Sequence, residues 1–433
     1  MPPVLPTTRV ERVALAVFIG FLIAVVYHHS QIVRDNFHLH SGTTYLGRPL
    51  DTSDALMYYD QCRSLNPYLS IPPTYTRPYP PFGYLIGYPL TLLSRTASFA
   101  LSCCLSILGG LWFLDHHVSR GPEADRRVWV LVTFLVSYPL HFALDHGNPE
   151  MLTMLLYFGF VTAYAQQRTW LAATLLAVVA SIKIIPILFL ALFVADRHRR
   201  EAAFAVALSA LLSALALVVF AYHAPEAGVI GQINRFRENL HLFDLKYSRG
   251  WDGMIGNHSV FGALKFVAIG SDLRSAGQVV ARWYSTWLVV GALLGAAVGY
   301  YAAFVERVLW RRVALLGVLI LALPPASHDY KLIQLFAPMA LYLRSAREDS
   351  DARVLPWIFG ALLVPMSYPI MEGFQHIAAG VLVRPVLLLL LLAWVVRDGC
   401  RARAGHEPPG AGEVRSDHQP SPRARRSGRR TSR

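Results

Sequence analysis

A polar, aromatic-rich stretch between two strongly apolar segments organises this chain. It runs from about residue 30 to residue 81, includes DTSDALMYYD at residues 51–60 and ends with RPYPP at residues 77–81. Most of the remaining sequence consists of apolar runs, and a helix needs roughly 20 such residues to cross a bilayer. We therefore expect this stretch to hold part of any water-accessible reaction site.

The composition is that of an integral membrane protein. Hydrophobic residues make up 54% of the 433 residues and charged residues only 15%, whereas a soluble domain normally carries about 25% charged residues. The apolar runs predict an all-α membrane domain over residues 1–396, with about twelve transmembrane helices. Two long polar loops, residues 30–81 and 222–257, interrupt these helices.

Basic residues predict the orientation of the helices. The net charge is +13, and by the positive-inside rule the side that carries the basic clusters is cytoplasmic. These clusters are Arg9/Arg12, Arg120/Arg126/Arg127, Arg168, Arg197–Arg200, Arg307/Arg311/Arg312, Arg344/Arg347 and the C-terminal tail. Both long polar loops, and the short turns at 145–150 and 327–331, are then extracytoplasmic.

Residues 397–433 predict a disordered basic cytoplasmic tail. Ten Arg stand there against four acidic residues, among many Pro, Gly and Ser that cannot build a core. Solvation is the first interpretation, and contact with anionic membrane lipid is the second. Nucleic-acid binding is not expected, because no basic face is interleaved with aromatic residues in the folded part.

Two kinds of side chain in the predicted outer segments suit chemistry on a phosphate-bearing substrate. A carboxylate near the membrane surface, such as Asp51 or Asp54, is a candidate general base, although either one is also suited to cap a helix. Arg77 suits a phosphate as a bidentate fork, or extends to the membrane interface from a turn that the neighbouring prolines stiffen. Lys183 stands alone in an apolar run, where a charge is costly, and suits a phosphate or extends to the interface.

Three further polar segments lie at the outer ends of predicted helices. They are Asp145-His146-Gly147-Asn148-Pro149-Glu150, Asn257-His258-Ser259 and Ser327-His328-Asp329-Tyr330-Lys331. The last one contains Ser, His and Asp, but successive residues do not share a helix face. We interpret it as a ligand-positioning turn and not as a hydrolase triad.

The order of these motifs resembles the family-87 branch of C-type (GT-C) membrane glycosyltransferases. The matching positions are Asp54 with Tyr58, Tyr79-Pro80-Pro81, Gly147-Asn148-Pro149-Glu150, Ile182-Lys183-Ile184-Ile185-Pro186, Asn257-His258-Ser259 and Ser327–Lys331. In that family the catalytic base is an outer-loop Asp four residues before a Tyr, a spacing that Asp54 and Tyr58 reproduce, with Asp51 close by. A Phe commonly follows the Asp, whereas this chain has Ala55.

The resemblance implies an inverting, metal-independent and cofactor-free transfer of a mannose-like or arabinofuranose-like sugar. The donor is a polyprenyl-phosphate sugar, and the acceptor is a glycan or glycolipid. Asp54 is the expected catalytic base, and the expected ligands of the donor phosphate are Lys183, Arg77, His146 and Lys331. Expected substrate-binding residues are Asp51, Tyr58, Tyr79, Asn148, Glu150, Asn257, His258, His328, Asp329 and Tyr330.

The expected location is a bacterial plasma membrane, with the active site facing the periplasm or the cell exterior. The abundance of Arg and Ala is typical of a GC-rich bacterium.

The alternative function is a transporter or flippase for a lipid-linked or anionic solute, which also uses intramembrane Lys and outer polar turns. Internal repeats with broken helices are typical of transporters, and the two halves of this sequence show none. A non-catalytic membrane scaffold leaves Lys183 unexplained.

Overall fold

The structure, a computed structural model, describes residues 8–34, 53–68, 79–254, 256–269, 276–345, 354–366, 368 and 378–404. Within these ranges every regular element is helical, and an isolated bridge joins Asn257 to His328. The α-helices are α1 (Arg9–Arg34), α2 (Ser53–Ser64), α3 (Pro81–Leu85), α4 (Arg95–Val118), α5 (Arg127–Leu135), α6 (Tyr138–His146), α7 (Glu150–Ala165), α8 (Thr169–Ile182), α9 (Leu190–Ala195), α10 (Arg199–His223), α11 (Gly228–Phe243), α12 (Val260–Ile269), α13 (Ala276–Tyr300), α14 (Leu309–Ala322), α15 (Phe336–Arg344), α16 (Leu355–Leu362) and α17 (Gly380–Ala404).

The helices confirm an all-α membrane protein but not the predicted number of spans. Among the described residues, five helices are long and apolar enough to cross a membrane: α1, α4, α10, α13 and α17. Helices α5 and α6 form a sixth candidate if the bent pair is one span. The count of about twelve is therefore not confirmed.

The shorter apolar helices lie in the interior of the bundle. In α14, every residue from Trp310 to Ala322 is buried, and in α15 every residue from Phe336 to Leu343 is buried. Long helices on the outside instead present apolar side chains outward, such as Leu211 of α10 (64% exposed) and Leu293 of α13 (66% exposed). Large apolar side chains exposed in this way are suited to contact lipid.

Both segments predicted as long polar loops contain helices. In the first, α1 continues to Arg34 and α2 follows a gap in the described residues. In the second, α11 is followed by a π-helical turn at Asp244–Ser248 and a 3₁₀ segment at Trp251–Met254. The apolar residues after the first of these segments form α3 and a 3₁₀ turn, and Pro81 begins α3 because its fixed φ suits the first helical turn.

Helix α7 defines two ends of the bundle. The site end is where α7 begins, at Glu150, and where α8 ends. The basic end is where α7 ends, about 24 Å away at 1.5 Å per residue. At the basic end, Tyr164 Oη donates to Asp196 Oδ2 (2.6 Å), and Arg312 Nη1 donates to Asp196 Oδ1 (2.9 Å).

The basic end also includes part of the predicted tail. Helix α17 runs past Val396 to Ala404, so the proposed boundary at residue 397 falls inside a helix. Asp398 is buried there and accepts a hydrogen bond from Arg311, which is itself buried. Residues 405–433 of the predicted tail lie outside the described residues.

Candidate active site

Asp54 lies at the site end, joined to the turn that precedes α7. It is in the first turn of α2, and its Oδ2 accepts a hydrogen bond from Asn148 Nδ2 at 2.8 Å. Asn148 in turn accepts from the backbone N–H of Glu150 at 3.0 Å, so the amide cannot rotate without losing a buried bond. Asn148 thus holds the Asp54 carboxylate in a fixed orientation.

Gly147 brings α2 close to this turn. Its φ of +59° is in the left-handed region, which favours glycine. A Cβ on Gly147 would lie 2.4 Å from the Cβ of Ala55, the residue that follows Asp54. Only glycine allows this approach, which sets the distance between Asp54 and α7.

Glu150 is a fully buried carboxylate that binds Lys183. Its side chain is 0% exposed, and its two oxygens accept hydrogen bonds from the Lys183 ammonium and from Gln334. A buried charge requires such pairing. Lys183 is the C-cap residue of α8 and keeps 16% of its side chain exposed, so the ammonium is held in place but not sealed off.

Two tyrosine rings flank the Lys183 ammonium. Nζ lies 5.6 Å from the ring centroid of Tyr79 and 5.3 Å from that of Tyr330, within cation–π range. Asp54 interacts electrostatically with both Lys183 and His328, which places the carboxylate and the two nitrogen-bearing side chains around one region.

Lys331 is a second cation in this region. Burial, and then the charge of Lys183, lower its pKa to about 8. Burial, and then the charge of Lys331, lower the pKa of His328 to about 4. At neutral pH, His328 is therefore a neutral hydrogen-bonding group, whereas Lys331 is mostly protonated and changes charge just above neutrality.

Behind this region, a buried polar network joins the 256–259 segment to the 327–329 turn. His258 Nε2 is 3.1 Å from Ser327 Oγ, and His258 Nδ1 is 3.4 Å from Asp329 Oδ1. Asp329 also accepts hydrogen bonds from Arg384 and from Tyr138 Oη, the latter at 3.0 Å. Although burial opposes it, Arg384 and His258 keep the pKa of Asp329 below its ordinary value.

Ser327, His258 and Asp329 have the order of hydrogen bonds found in a catalytic triad, but they cannot receive a substrate. Their exposed fractions are 0%, 0% and 3%. Asn257 is equally buried, and its Oδ1 accepts from the backbone N–H of Ser259 (2.8 Å) and of Ser327 (3.1 Å). These residues fix the shape of the turn that carries His328 and Tyr330, so we do not propose direct substrate contact for them.

Two other predicted residues lie near the site without pointing to Lys183. Tyr58 is buried, and its hydroxyl donates to the carbonyl of Gly83, which ties α2 to α3. His146 Nδ1 donates to the carbonyl of Phe142 at 3.1 Å, and its ring packs on the Phe142 ring. Asp51 and Arg77 lie outside the described residues. In the described part of the chain, no group of three His, Cys, Asp or Glu residues is arranged to hold a metal ion.

Two residues of the candidate site, Gln334 and Arg384, were not selected from the sequence. Gln334 gives no signal, because an amide in an apolar run is common. Arg384 does give one: it stands within the apolar run 377–396, where a charge is as costly as at Lys183. The same argument that selected Lys183 would have found it.

An apolar cavity of 310 Å³ adjoins the Lys183 region from the side of α10 and α11. Its lining includes Pro80, next to Tyr79, and Ile184, next to Lys183. The remaining lining residues are Pro81, Ala180, Ile187, Ser209, Ser213, Leu217, Ile233 and Phe236. A mostly apolar cavity beside a cationic site suits a ligand with a hydrocarbon part and an anionic head.

The fold and the site define a helical membrane protein with a polar site at one end of its bundle. Comparison with known protein families identifies the family of this chain. The sequence profile of glycosyltransferase family 87 matches residues 75–325, which is more than half of the chain. The chain belongs to this family and is a glycosyltransferase. Asp54 and the turn at 327–331 lie outside the matched range. A search of curated proteins found no match, and nothing supports the transporter alternative.

Proposed function

We propose that this protein transfers a sugar from a polyprenyl phosphate to a hydroxyl of a glycan or glycolipid, with inversion and without a metal ion. The sugar is mannose-like or arabinofuranose-like. The observation that carries the proposal is that Asp54 and Lys183 lie at the same end of the bundle, within electrostatic range of each other. One suits a general base and the other a phosphate ligand.

The reaction is a single displacement. Asp54 takes the proton of the acceptor hydroxyl while the hydroxyl oxygen forms a bond to the anomeric carbon. The bond from that carbon to the phosphate oxygen breaks, and its electron pair stays on the polyprenyl phosphate. Lys183 and Lys331 offset the charge that develops there. The acceptor attacks from the face opposite the phosphate, so no second carboxylate nucleophile is needed.

The polyprenyl donor is supported by the apolar cavity beside Lys183. A phosphate near Lys183 places the attached isoprenoid chain next to Pro80 and Ile184, both of which line that cavity. Ile184 and Ile233 both line the cavity and are 56% and 38% exposed, so the cavity opens at the surface of the bundle. A donor is thus able to enter from the bilayer without passing through water.

We further propose twelve passes across a bacterial plasma membrane, with the site end on the periplasmic or external side. The passes are the five long helices, the α5–α6 pair, and α7, α8, α9, α14, α15 and α16. Short helices are tolerated where neighbouring protein surrounds them.

Cysteine labelling tests this orientation. In a background without native cysteines, a membrane-impermeant maleimide added to intact cells should label a cysteine introduced at Asp60 of α2 and not one introduced at Arg200 of α10. The reverse pattern would overturn the orientation.

Asp54→Asn tests the chemistry. Asparagine keeps the size of the side chain and a partner for Asn148, but it cannot take a proton. Transfer from a radiolabelled polyprenyl-phosphate mannose or arabinofuranose to extracted membrane acceptors should fall by about 100-fold or more, the range for loss of a general base, at an unchanged protein level. Asp60→Asn is the matched control, since Asp60 is an exposed carboxylate on the same helix, paired with Arg95 at 2.7 Å. Full activity of Asp54→Asn refutes the assignment.

A further inference from the structure

The segment from Asp244 to Met254 is held in an irregular conformation by several polar anchors. Asp244 accepts hydrogen bonds from Tyr284 Oη and from Arg249 Nε, the latter at 2.8 Å. Asn257 Nδ2 donates to the carbonyl of Gly253. A Cβ on Gly253 would lie 1.6 Å from the carbonyl oxygen of Tyr247, so the segment folds tightly on itself. These contacts constrain the segment more than is usual for a solvent-exposed loop.

The strongest anchor is the buried lysine Lys265 of α12. It is 2% exposed, and its Nζ donates to the carbonyls of Tyr247 (3.1 Å), Ser248 (3.1 Å) and Gly250 (3.2 Å). The three donors of the ammonium thus satisfy carbonyls that the irregular turn leaves without helical partners. A buried charge is costly. The arrangement therefore indicates that the turn must be held in one position for function.

The turn presents the ring of Tyr247 to the site. Tyr247 is half-buried, and its ring centroid is 6.2 Å from that of His328, with the two planes nearly perpendicular at 86°. His328 is 5.8 Å from Tyr330, whose ring centroid is 5.3 Å from Lys183 Nζ. A row of rings therefore leads away from Lys183 to Tyr247, whose ring also packs on Phe243 (4.9 Å) and lies 5.3 Å from Lys246 Nζ. We call Tyr247 and His328 the aromatic wall.

We propose that the aromatic wall binds the sugar ring of the acceptor, and that Tyr247 is a specificity-determining residue for it. This inference rests on the proposed function, because an inverting displacement requires the acceptor on the side of the anomeric carbon opposite the phosphate. With the phosphate at Lys183, that side is the far end of the row. Asp54, which interacts electrostatically with His328, is then within reach of the acceptor hydroxyl.

The chemistry of a sugar ring fits such a wall. Axial C–H groups form an apolar face that packs on an aromatic ring, while the hydroxyls at the rim bond to polar groups such as the neutral imidazole of His328. A lipid chain would use the aromatic ring but not the polar groups, and a free phosphate would use the polar groups but not the ring. The ligand class is therefore a pyranose or furanose at the end of a glycan or glycolipid.

The test is steady-state kinetics of the full-length protein in detergent, with a radiolabelled polyprenyl-phosphate sugar and a panel of octyl glycosides as acceptors. Tyr247→Leu should raise the acceptor KM by about five- to tenfold, the size of one stacking contact, and leave the donor KM unchanged. Tyr247→Phe keeps the ring and should retain the wild-type KM. Tyr222→Ala, at an exposed tyrosine near the end of α10, is the control.

A second measurement separates this inference from the proposed function. Titration calorimetry of the octyl glycosides into the full-length protein needs no turnover, and Tyr247→Leu should weaken binding by the same factor. If the wild type transfers sugar but Tyr247→Leu keeps the wild-type acceptor KM and affinity, only the aromatic wall is wrong. A higher donor KM instead would assign the wall to the donor sugar and overturn the inference. If the wild type transfers from neither donor, the proposed function fails, and calorimetry alone decides whether the wall binds sugar.

Discussion

Replacing Glu150 by Gln tests whether this carboxylate acts only through Lys183. The change removes the negative charge but leaves an amide oxygen that still accepts from Gln334. The Lys183 ammonium then lacks its hydrogen-bonded counter-ion, and it either loses its proton or turns toward water. Both outcomes remove the charge that is proposed to hold the donor phosphate.

The structure sets the expected magnitudes. Losing the phosphate contact of Lys183 should lower kcat/KM for the donor by roughly 30-fold, because a hydrogen bond to a charged group contributes about 2 kcal/mol. Removing one partner of a buried ion pair costs about 3–5 kcal/mol of stability. We expect the lower end for Glu150→Gln, because Lys183 keeps 16% of its side chain exposed.

The assay is a double-mutant cycle in kcat/KM and in thermal unfolding of the purified protein. Glu150→Gln, Lys183→Met and the double variant should all show about the same 30-fold loss of activity, since all three lack the same contact. The double variant should be more stable than Glu150→Gln, because it buries no unpaired charge. A double variant whose activity falls by roughly the product of the single losses, about 900-fold, would refute the reasoning.

Two further predictions concern pH and backbone geometry. The donor KM should not depend on pH below neutrality and should rise above about pH 8, as the Lys331 ammonium loses its proton. Lys331→Arg, which stays charged, should abolish that rise. Because its pKa is lowered by folding from 10.5 to about 8, Lys331 should also make the protein more stable as pH rises between these values. Gly147→Ala should lower kcat by about 100-fold, the cost of a 1 Å misplacement, whereas Gly228→Ala, at the same φ of +59° with no atom within 4 Å, should cost only about 1 kcal/mol of stability.

Each of these predictions has a clear opposite result. An alkaline rise of the donor KM that persists in Lys331→Arg would assign the titration to another group. Equal kcat values for Gly147→Ala and Gly228→Ala would mean that the contact with Ala55 does not control the position of Asp54.

The membrane class was predictable from the sequence because it depends on local signals, and the glycosyltransferase family was predictable from the order of the motifs. Low charge and long apolar runs indicate membrane helices wherever those helices face lipid, as α10 and α13 do. Lys183 was found because one charge in an apolar run is conspicuous. Its partner Glu150 was named as a substrate ligand, but the carboxylate is buried against the lysine itself, a contact across 33 residues that no spacing rule reveals.

The number of passes and the role of the 327–331 turn depend on packing, which the sequence does not display. A 14-residue helix such as α14 is about 21 Å long, well short of the roughly 30 Å hydrocarbon core; only its complete burial explains its length. The residues Ser327, His328 and Asp329 were considered together because they are contiguous. In the structure the histidine between Ser327 and Asp329 is His258, from a distant part of the chain.

The paired arginines at the basic end have a consequence for biogenesis. In the orientation proposed above, Arg311 and Arg312 are cations that retain their loop on the cytosolic side before the helices assemble. After assembly, Asp398 and Asp196 neutralise them inside the protein. In that orientation the two guanidinium groups would first set the topology of the chain and later hold the basic end together. Lysine at position 312 would preserve the positive charge but lose the second nitrogen, Nη2, that donates to the carbonyl of Leu192.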